Sequence, residues 1–569
     1  MSDEDLTPPA PLSPHSSRAS STLRERGSQA IDTNTPSDKS LRKERPFTRG
    51  RIFSTLIFAI AFLALLAQFA VYVDYAAALF RFPYDYDQGE GFELYDTVLQ
   101  AQGQWPYRDS QVFPFYTSIY PPLFHLLTVP LVWAFGPQLW TGRLVSFTAS
   151  LVAAGAIAYG VTRAGGNRAI GVLAGLTFLA SNDVFHIGPL FRQHMTMVTF
   201  ETLAVVCLAE LDLGAAASWL RRPAFWLGLI FLLAAGYTKQ LAAATVLAGL
   251  AFLFIRGPRR ALLAGLGLAV VAGAIFGLIN AATGGYWYLS IIRANINAFD
   301  WAQALLLYRQ WFELHWLIVG VAAAAMVYEI YRGRLSVYAI WFGVAVADAA
   351  LSGKFGAGES YFVTATAAAC ALSGIALARL WRWLAAWDPT GGTQPRAAAL
   401  GPVALGLAIP LLYLVQARFT LHLPTTGPIY GPVAATLGVA SDSGYYDSQG
   451  YTQLGPRPTQ ADIAAGDAIA ALARAAPGPV FSEEAGFMFR AGKPVVTNPF
   501  PQLVMYQAGL FDPANEIAMI QQQAFGLVIL RAQFYPPPVL QAIGANYKPM
   551  TEIHMNGFLY RILESRGKK

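Results

Sequence analysis

The chain has 569 residues, of which 55% are hydrophobic and only 13% are charged, with a formal net charge of +6. Soluble globular proteins carry about 25% charged residues, and a mean hydropathy of +0.40 sets this chain apart from them. These figures exclude a cytosolic enzyme, a nucleic-acid-binding domain and a disulfide-stapled secreted module, and they place most of the chain in lipid.

In chain order, residues 1–50 are rich in Ser, Pro, Thr and charge, lack the residues for a core, and read as a disordered cytoplasmic tail. The cluster Lys39, Arg42, Lys43, Arg45, Arg49 and Arg51 leads into the apolar run 52–73, as a cytoplasmic flank leads into a membrane helix. So long a tail is not the short leading region of a signal peptide, so the run reads as a retained first helix. Further apolar runs fall at 138–161, 169–181, 195–213, 225–237, 241–255, 261–281, 315–331, 335–351, 361–380 and 397–415, giving about eleven candidate spans. The run 120–135 contains Pro121-Pro122 and is shorter than the ~20 residues a straight span needs. If it lies in the outer interface, Arg163/Arg168, Arg221/Arg222, Arg256/Arg259/Arg260, Arg332/Arg334, Arg379, Arg382 and Arg396 all fall on the inner side. If it spans, the first four of these groups fall outside. The expected protein is therefore a multi-pass α-helical membrane protein of the plasma membrane, with a cytoplasmic N-terminus.

The expected parts are a membrane domain over 51–417, with a first outer loop at 74–118 and an interfacial helix at 120–136, and a soluble α/β domain over 418–569 on the outer face. In that domain short apolar runs predict strands at 478–481, 494–497, 526–530 and 558–562, and helices at 462–475 and 513–524. Gly171/Gly175 and Gly273/Gly277, each pair four apart, predict close helix packing. Cys207 and Cys370 lie in apolar runs and read as buried small hydrophobes.

The scarce charges carry the chemistry. The first outer loop holds Asp74, Asp85, Asp87, Glu90, Glu93, Asp96 and Asp109 against only Arg81 and Arg108. Carboxylates at a lipid boundary cost energy unless they are used or paired, although a solvated acidic loop has the same composition. Cations on the same face are Arg192 (beside His194), Lys239 and Lys354 (near Glu359). Singly each reads as snorkelling to the interface. Together they suit a phosphate-bearing, lipid-linked substrate, with cations on the phosphate and a carboxylate moving a proton. No HExxH, phosphate-loop or dinucleotide motif is present, and the histidines do not fall at ligand spacing.

Several short motifs occur in order: Tyr86-Asp87-Gln88-Gly89-Glu90, Gly103-Gln104-Trp105-Pro106-Tyr107-Arg108-Asp109, Tyr120-Pro121-Pro122-Leu123, Phe135-Gly136, Gly142-Arg143-Leu144 and Thr238-Lys239-Gln240. In this order the chain resembles the GT-C glycosyltransferases, and among them the relatives of protein O-mannosyltransferases and of the lipid A aminoarabinose transferase. The resemblance covers roughly 51–380. It implies an inverting glycosyltransferase that takes a sugar from a polyprenyl-phosphate donor and passes it to a glycan, lipid or protein acceptor on the outer face. It carries the catalytic role to Asp87, with Glu90 as helper where the family's loop has an Asp-Glu pair. It carries the donor phosphate to Lys239 and Arg192, and places Asp85, Tyr120, His194, Lys354 and Glu359 in the cleft. No cofactor is assigned, and a divalent metal is left open. The expected partners are donor, acceptor and membrane lipids, with no nucleic acid. The competing readings are a transporter or lipid carrier, for which Glu201 and Asp348 in apolar runs speak, and a non-catalytic envelope-assembly member of the same superfamily.

Overall fold

The computed structural model describes residues 46–211, 219–386, 396–421, 430–438 and 456–567. The expected tail lies outside these up to residue 45, and its last residues, from Pro46, already belong to the first helix. Helix α1 (Pro46–Arg81) is followed by α2 (Glu90–Ala101), inside the first loop, and α3 (Leu123–Phe135). The bundle continues with α4 (Leu139–Gly165), α5 (Arg168–Leu179), the short α6 (Asn182–Ile187), α7 (His194–Ala209), α8 (Pro223–Thr238), α9 (Ala243–Arg256) and α10 (Pro258–Ala282). After α11 (Tyr286–Ile291) come α12 (Trp301–Tyr331), α13 (Val337–Asp348), α14 (Val363–Ala386) and α15 (Arg396–Phe419). Among the described residues, five helical stretches are long and apolar enough to cross a membrane, and seven further apolar helices are shorter.

Helix α10 leaves Leu262, Leu263, Leu266, Val270 and Leu278 exposed, a face that water would penalise and lipid would not. Helix α14 lies at the other extreme, with 89% of its apolar window buried among its neighbours. Helix α5 lies on α4 backbone to backbone: a Cβ on Gly171 would sit 2.5 Å from the Ala158 carbonyl oxygen, and one on Gly175 2.6 Å from that of Ala154. The second expected packing pair is not one, because Gly273 and Gly277 face open space on α10. The polar stretch between the apolar runs 261–281 and 315–331 is not all loop, since α12 starts at Trp301. Asp300 caps it by accepting the Ala302 N–H at 2.8 Å, and Arg309 and Glu313 pair one turn apart, so these polar residues begin a helix rather than interrupt one. Glu201 in the bundle accepts hydroxyl hydrogen bonds from Thr245 and Thr364, each 2.7 Å, and so is satisfied by packing.

The C-terminal part contains α16 (Tyr430–Leu437), α17 (Gln460–Ala475), β1 (Val480–Ser482), α18 (Gly486–Ala491), α19 (Pro499–Gln507), α20 (Ala514–Gln521), β2 (Leu527–Leu530), α21 (Pro537–Asn546), β3 (Tyr547–Met555) and β4 (Phe558–Ser565). The four strands form one sheet in the order β1-β2-β4-β3, parallel between β1 and β2 and antiparallel elsewhere. Asn556-Gly557, both at positive φ, turn β3 into β4. The strand expected at 494–497 is absent from the sheet. Thr497 instead makes a single parallel bridge to Phe115 in the first outer loop. Bundle and C-terminal layer belong to one compact unit, Phe47–Lys569.

One buried ion pair fixes how the first loop sits on the bundle. Arg143, on the first turns of α4, and Glu90, at the start of α2, are both fully buried. Arg143 donates to both Glu90 carboxylate oxygens, at 2.9 and 2.7 Å. It also donates to the carbonyls of Leu79, Phe82 and Tyr84 at 2.5, 2.6 and 2.8 Å. Removing one member of such a pair strands the other. Arg143→Met is therefore expected to cost about 3–5 kcal/mol, seen as a lower thermal midpoint of the detergent-solubilised protein. Arg143→Met combined with Glu90→Gln should recover part of that loss.

Candidate active site

The segment between α1 and α2 brings Asp87, Gln88 and Gly89 to a cavity of about 180 Å³. Gly89, at φ +99, turns the chain into α2, and a Cβ there would sit 3.4 Å from the Arg192 guanidinium. Left-handed backbone and close approach both require glycine. Opposite this wall lie Arg192 and His194, from the α6–α7 connection and the first turn of α7, and Lys239 from the end of α8. Tyr120, the 356–361 segment and, from the C-terminal layer, Asn498, Phe500 and Phe534 complete the lining.

Arg192 joins the acids. Its Nε donates to Asp87 Oδ2 at 2.5 Å, its Nη1 to Glu93 Oε1 at 3.3 Å, and its Nη2 to the Gln88 carbonyl. Its own burial opposes the charge, but Asp87 and Glu93 hold the guanidinium above its usual range. Glu93 Oε2 and His125 Nε2 are hydrogen-bonded at 2.7 Å. Asp96 accepts from the hydroxyls of Tyr116 and Ser118 at 2.7 and 2.5 Å. Burial pushes its carboxyl up to about 6, with His125 pulling down and Glu93 adding to the rise.

Lys239 Nζ meets His194 Nε2 and sits 5.3 Å and 5.5 Å from the ring centroids of Tyr120 and Tyr361. Burial lowers its pKa to about 7, assisted by Arg192 and Lys354 and opposed by Glu93.

Asp87, Arg192, His194, Lys239, Tyr120 and Glu359 thus converge on one cavity. Lys354 lines an adjoining cavity of about 150 Å³, which shares Tyr120, Lys239, Tyr361 and Phe500 with the first. Glu90 and Asp85 line neither. Besides Arg143, Glu90 takes the N–H groups of Phe191, Tyr86 and Asp87 at 2.7, 2.9 and 3.3 Å. Burial raises its pKa, but Arg143 and these donors outweigh that and hold it below the usual range. Asp85 is buried beneath the loop. Burial, with Glu484 and Glu90, pushes its carboxyl up to about 8 against the Gly91 N–H and Arg143. Sequence reasoning counted Glu93 and Asp96 without singling them out, and passed over His125, Phe500 and Phe534. The three-residue spacing of Glu93 and Asp96 on one helix face was the available signal.

Glu93, Asp96 and His125 offer atoms within 4.8 Å of one another and form the group among the described residues that could hold a metal. Those atoms already serve one another and the two hydroxyls as hydrogen-bond partners. His125 Nδ1 has no hydrogen-bond partner among the described residues, so the network leaves one ring nitrogen open, and no step below passes through a metal.

No protein-family model and no curated protein matches the chain in sequence. The fold does match solved structures. ArnT from Cupriavidus metallidurans in the apo state aligns with TM-score 0.55 and 16% identity over 88% of this chain and 98% of its own. ArnT from the same organism bound to undecaprenyl phosphate aligns with TM-score 0.52 and 15% identity over 87% and 97%. The chain therefore shares the GT-C fold that its sequence resembles.

A buried lysine with a pKa near 7 is a cation below that pH and neutral above it. The Lys239 amine should accordingly lose its charge as pH rises from 6 to 8.5, seen as a rise of up to about tenfold per unit below the pKa in its reactivity toward an acylating reagent. In Lys239→Arg, whose charge persists, that titrating reactivity should disappear.

Proposed function

We propose that the chain is an integral-membrane glycosyltransferase that moves a sugar from a polyprenyl-phosphate carrier to an acceptor hydroxyl at the outer face, with inversion. The observation that carries this reading is the convergence of Asp87, Arg192 and Lys239 on one cavity at the ends of membrane helices. The shared fold with ArnT, one structure of which holds undecaprenyl phosphate, supports it.

In the proposed reaction Asp87 accepts the proton of the acceptor hydroxyl. The acceptor oxygen forms its bond to the anomeric carbon as the bond from that carbon to the phosphate oxygen breaks. The electron pair leaves with the polyprenyl phosphate, whose second negative charge the buried Lys239 meets. Arg192 spends its donors on Asp87, Glu93 and the Gln88 carbonyl, so its role is to aim Asp87 rather than to hold phosphate. Glu90 acts through the backbone of the loop. The N-terminal end of α7 also faces the cavity, which favours an anion there.

We read the orientation as N-terminus inside and C-terminal layer outside, with about eleven spans and α3 lying in the outer interface. Charge sorting supports this. Helix α7 brings its first turn, and α14 the segment just before it, to the cavity, while basic residues gather about their far ends. There Arg163 pairs with Glu210, and Arg379 with Glu329.

Asp87→Asn keeps the size of the side chain and removes the base. With purified protein and a panel of undecaprenyl-phosphate-linked pentoses and hexoses, it should lower kcat by about 10²–10⁴. Transfer at the wild-type rate would refute the assignment. Lys239→Ala should weaken donor use, read as a higher donor KM, and an unchanged donor dependence would remove its phosphate role.

A further inference from the structure

Asp85 is buried at 1% exposure and points away from the cavity, toward the C-terminal layer. One of its oxygens accepts the Gly91 N–H of its own loop at 2.6 Å, and the other accepts the Gly486 N–H at 2.9 Å, across 401 positions of sequence. The two glycines meet so closely that a Cβ on Gly91 would lie 2.9 Å from the Ala485 carbonyl carbon and from Asp85 itself. The neighbouring residues are tied to the same layer. The Tyr84 hydroxyl donates to Asp467 at 2.5 Å, the Tyr86 hydroxyl donates to the Pro456 carbonyl at 2.8 Å, and Asn556 Nδ2 donates to the Tyr86 carbonyl at 3.3 Å.

We infer that Asp85 is a positioning residue through which the C-terminal layer holds the Asp87 loop in its reactive place. The inference rests on the functional reading above, in which Asp87 is the base. The three residues before Asp87 all reach the layer, two by aromatic hydroxyls and one by a carboxylate that bridges two backbone N–H groups. On the other side Glu90, itself held by Arg143 of the bundle, fixes the N–H groups of Tyr86 and Asp87. The loop is thus gripped from both parts of the protein. The bundle alone supplies one of these grips, so the layer is a component of the site rather than a cover over it. A base misplaced by about 1 Å loses about a hundredfold in rate, whereas donor phosphate binding at Lys239 does not depend on this contact.

The test uses the full chain in detergent or nanodiscs, with the undecaprenyl-phosphate sugar that the wild type accepts. Asp85→Ala should lower kcat by about a hundredfold while the donor KM stays within about twofold. Amides of 84–92 should exchange with solvent about tenfold faster, with amides of the transmembrane helices unchanged. Tyr84→Phe with Tyr86→Phe removes two hydroxyl ties and no apolar surface. It should lower kcat by about tenfold in the same pattern, and it decides the matter if Asp85→Ala does not fold. A folded variant with wild-type kcat, or with unchanged exchange at 84–92, overturns the inference. If Asp87→Asn is inactive while the Asp85 and tyrosine variants are fully active, only this inference falls. If Asp87→Asn is fully active, the functional reading falls and the exchange rates alone decide whether the clamp exists.

Discussion

Everything near the cavity hangs on the Arg143–Glu90 pair. An arginine and a glutamate wholly removed from water are costly unless every donor and acceptor is satisfied. Here Arg143 spends its donors on two carboxylate oxygens and three carbonyls, and Glu90 takes N–H groups from both walls. The three carbonyls belong to the end of α1 and the start of the loop. The N–H groups of Tyr86 and Asp87 belong to the loop's reactive part, and that of Phe191 precedes Arg192. One pair therefore sets the register of α1, α2, α4 and the Arg192 segment at once. Planar, bidentate geometry makes arginine the residue suited to this position.

Above that anchor the charges are spaced so that none stands alone. Arg192 bridges Asp87 and Glu93, Glu93 leans on His125, and Asp96 is satisfied by two hydroxyls. The arrangement holds Asp87 in a single orientation before any substrate arrives, which is the condition for a base to act without reorganising its surroundings. The C-terminal layer contributes from the other side. Its Asn498 Nδ2 donates to the Thr117 carbonyl at 3.1 Å, and its Gln502 Nε2 to the Phe115 carbonyl at 2.9 Å, so the loop is stitched beyond α2 as well.

The sequence carried these features unequally. Long apolar runs were legible because lipid leaves the chain few alternatives to helix, and among the described residues each of the eleven candidate spans lies mainly on a helix. Strand β3 was not legible. Its residues YKPMTEIHM alternate in exposure instead of forming an apolar run, and only the Asn556-Gly557 turn signalled it. The convergence of Asp87, Arg192 and Lys239 was readable because charge is so scarce that its placement has meaning. Burial was not readable. Asp85 and Glu90 look like any other acids of the loop, yet both are enclosed and hold backbone. The pairing of Glu93 with His125 depends on how α2 packs on α3. The Phe500 and Phe534 wall depends on contacts across several hundred residues of chain, which no local pattern records.

Lys239 shows how burial shapes the proposed reaction. A lysine in water would hold its proton throughout, and its charge would be matched by solvent before and after transfer alike. Enclosed by Tyr120, Tyr361 and His194, Lys239 has its pKa brought down to about 7 by burial first and by the nearby cations second. A donor phosphodiester carries one negative charge, and the phosphate released from it gains a second as its bond to the sugar breaks. The incoming charge raises the lysine's affinity for a proton most at that moment, so the interaction is stronger in the transition state than in the ground state. Only such a difference accelerates the chemical step. The feature that makes the cation costly to keep in the empty cavity therefore makes it effective when the leaving group forms.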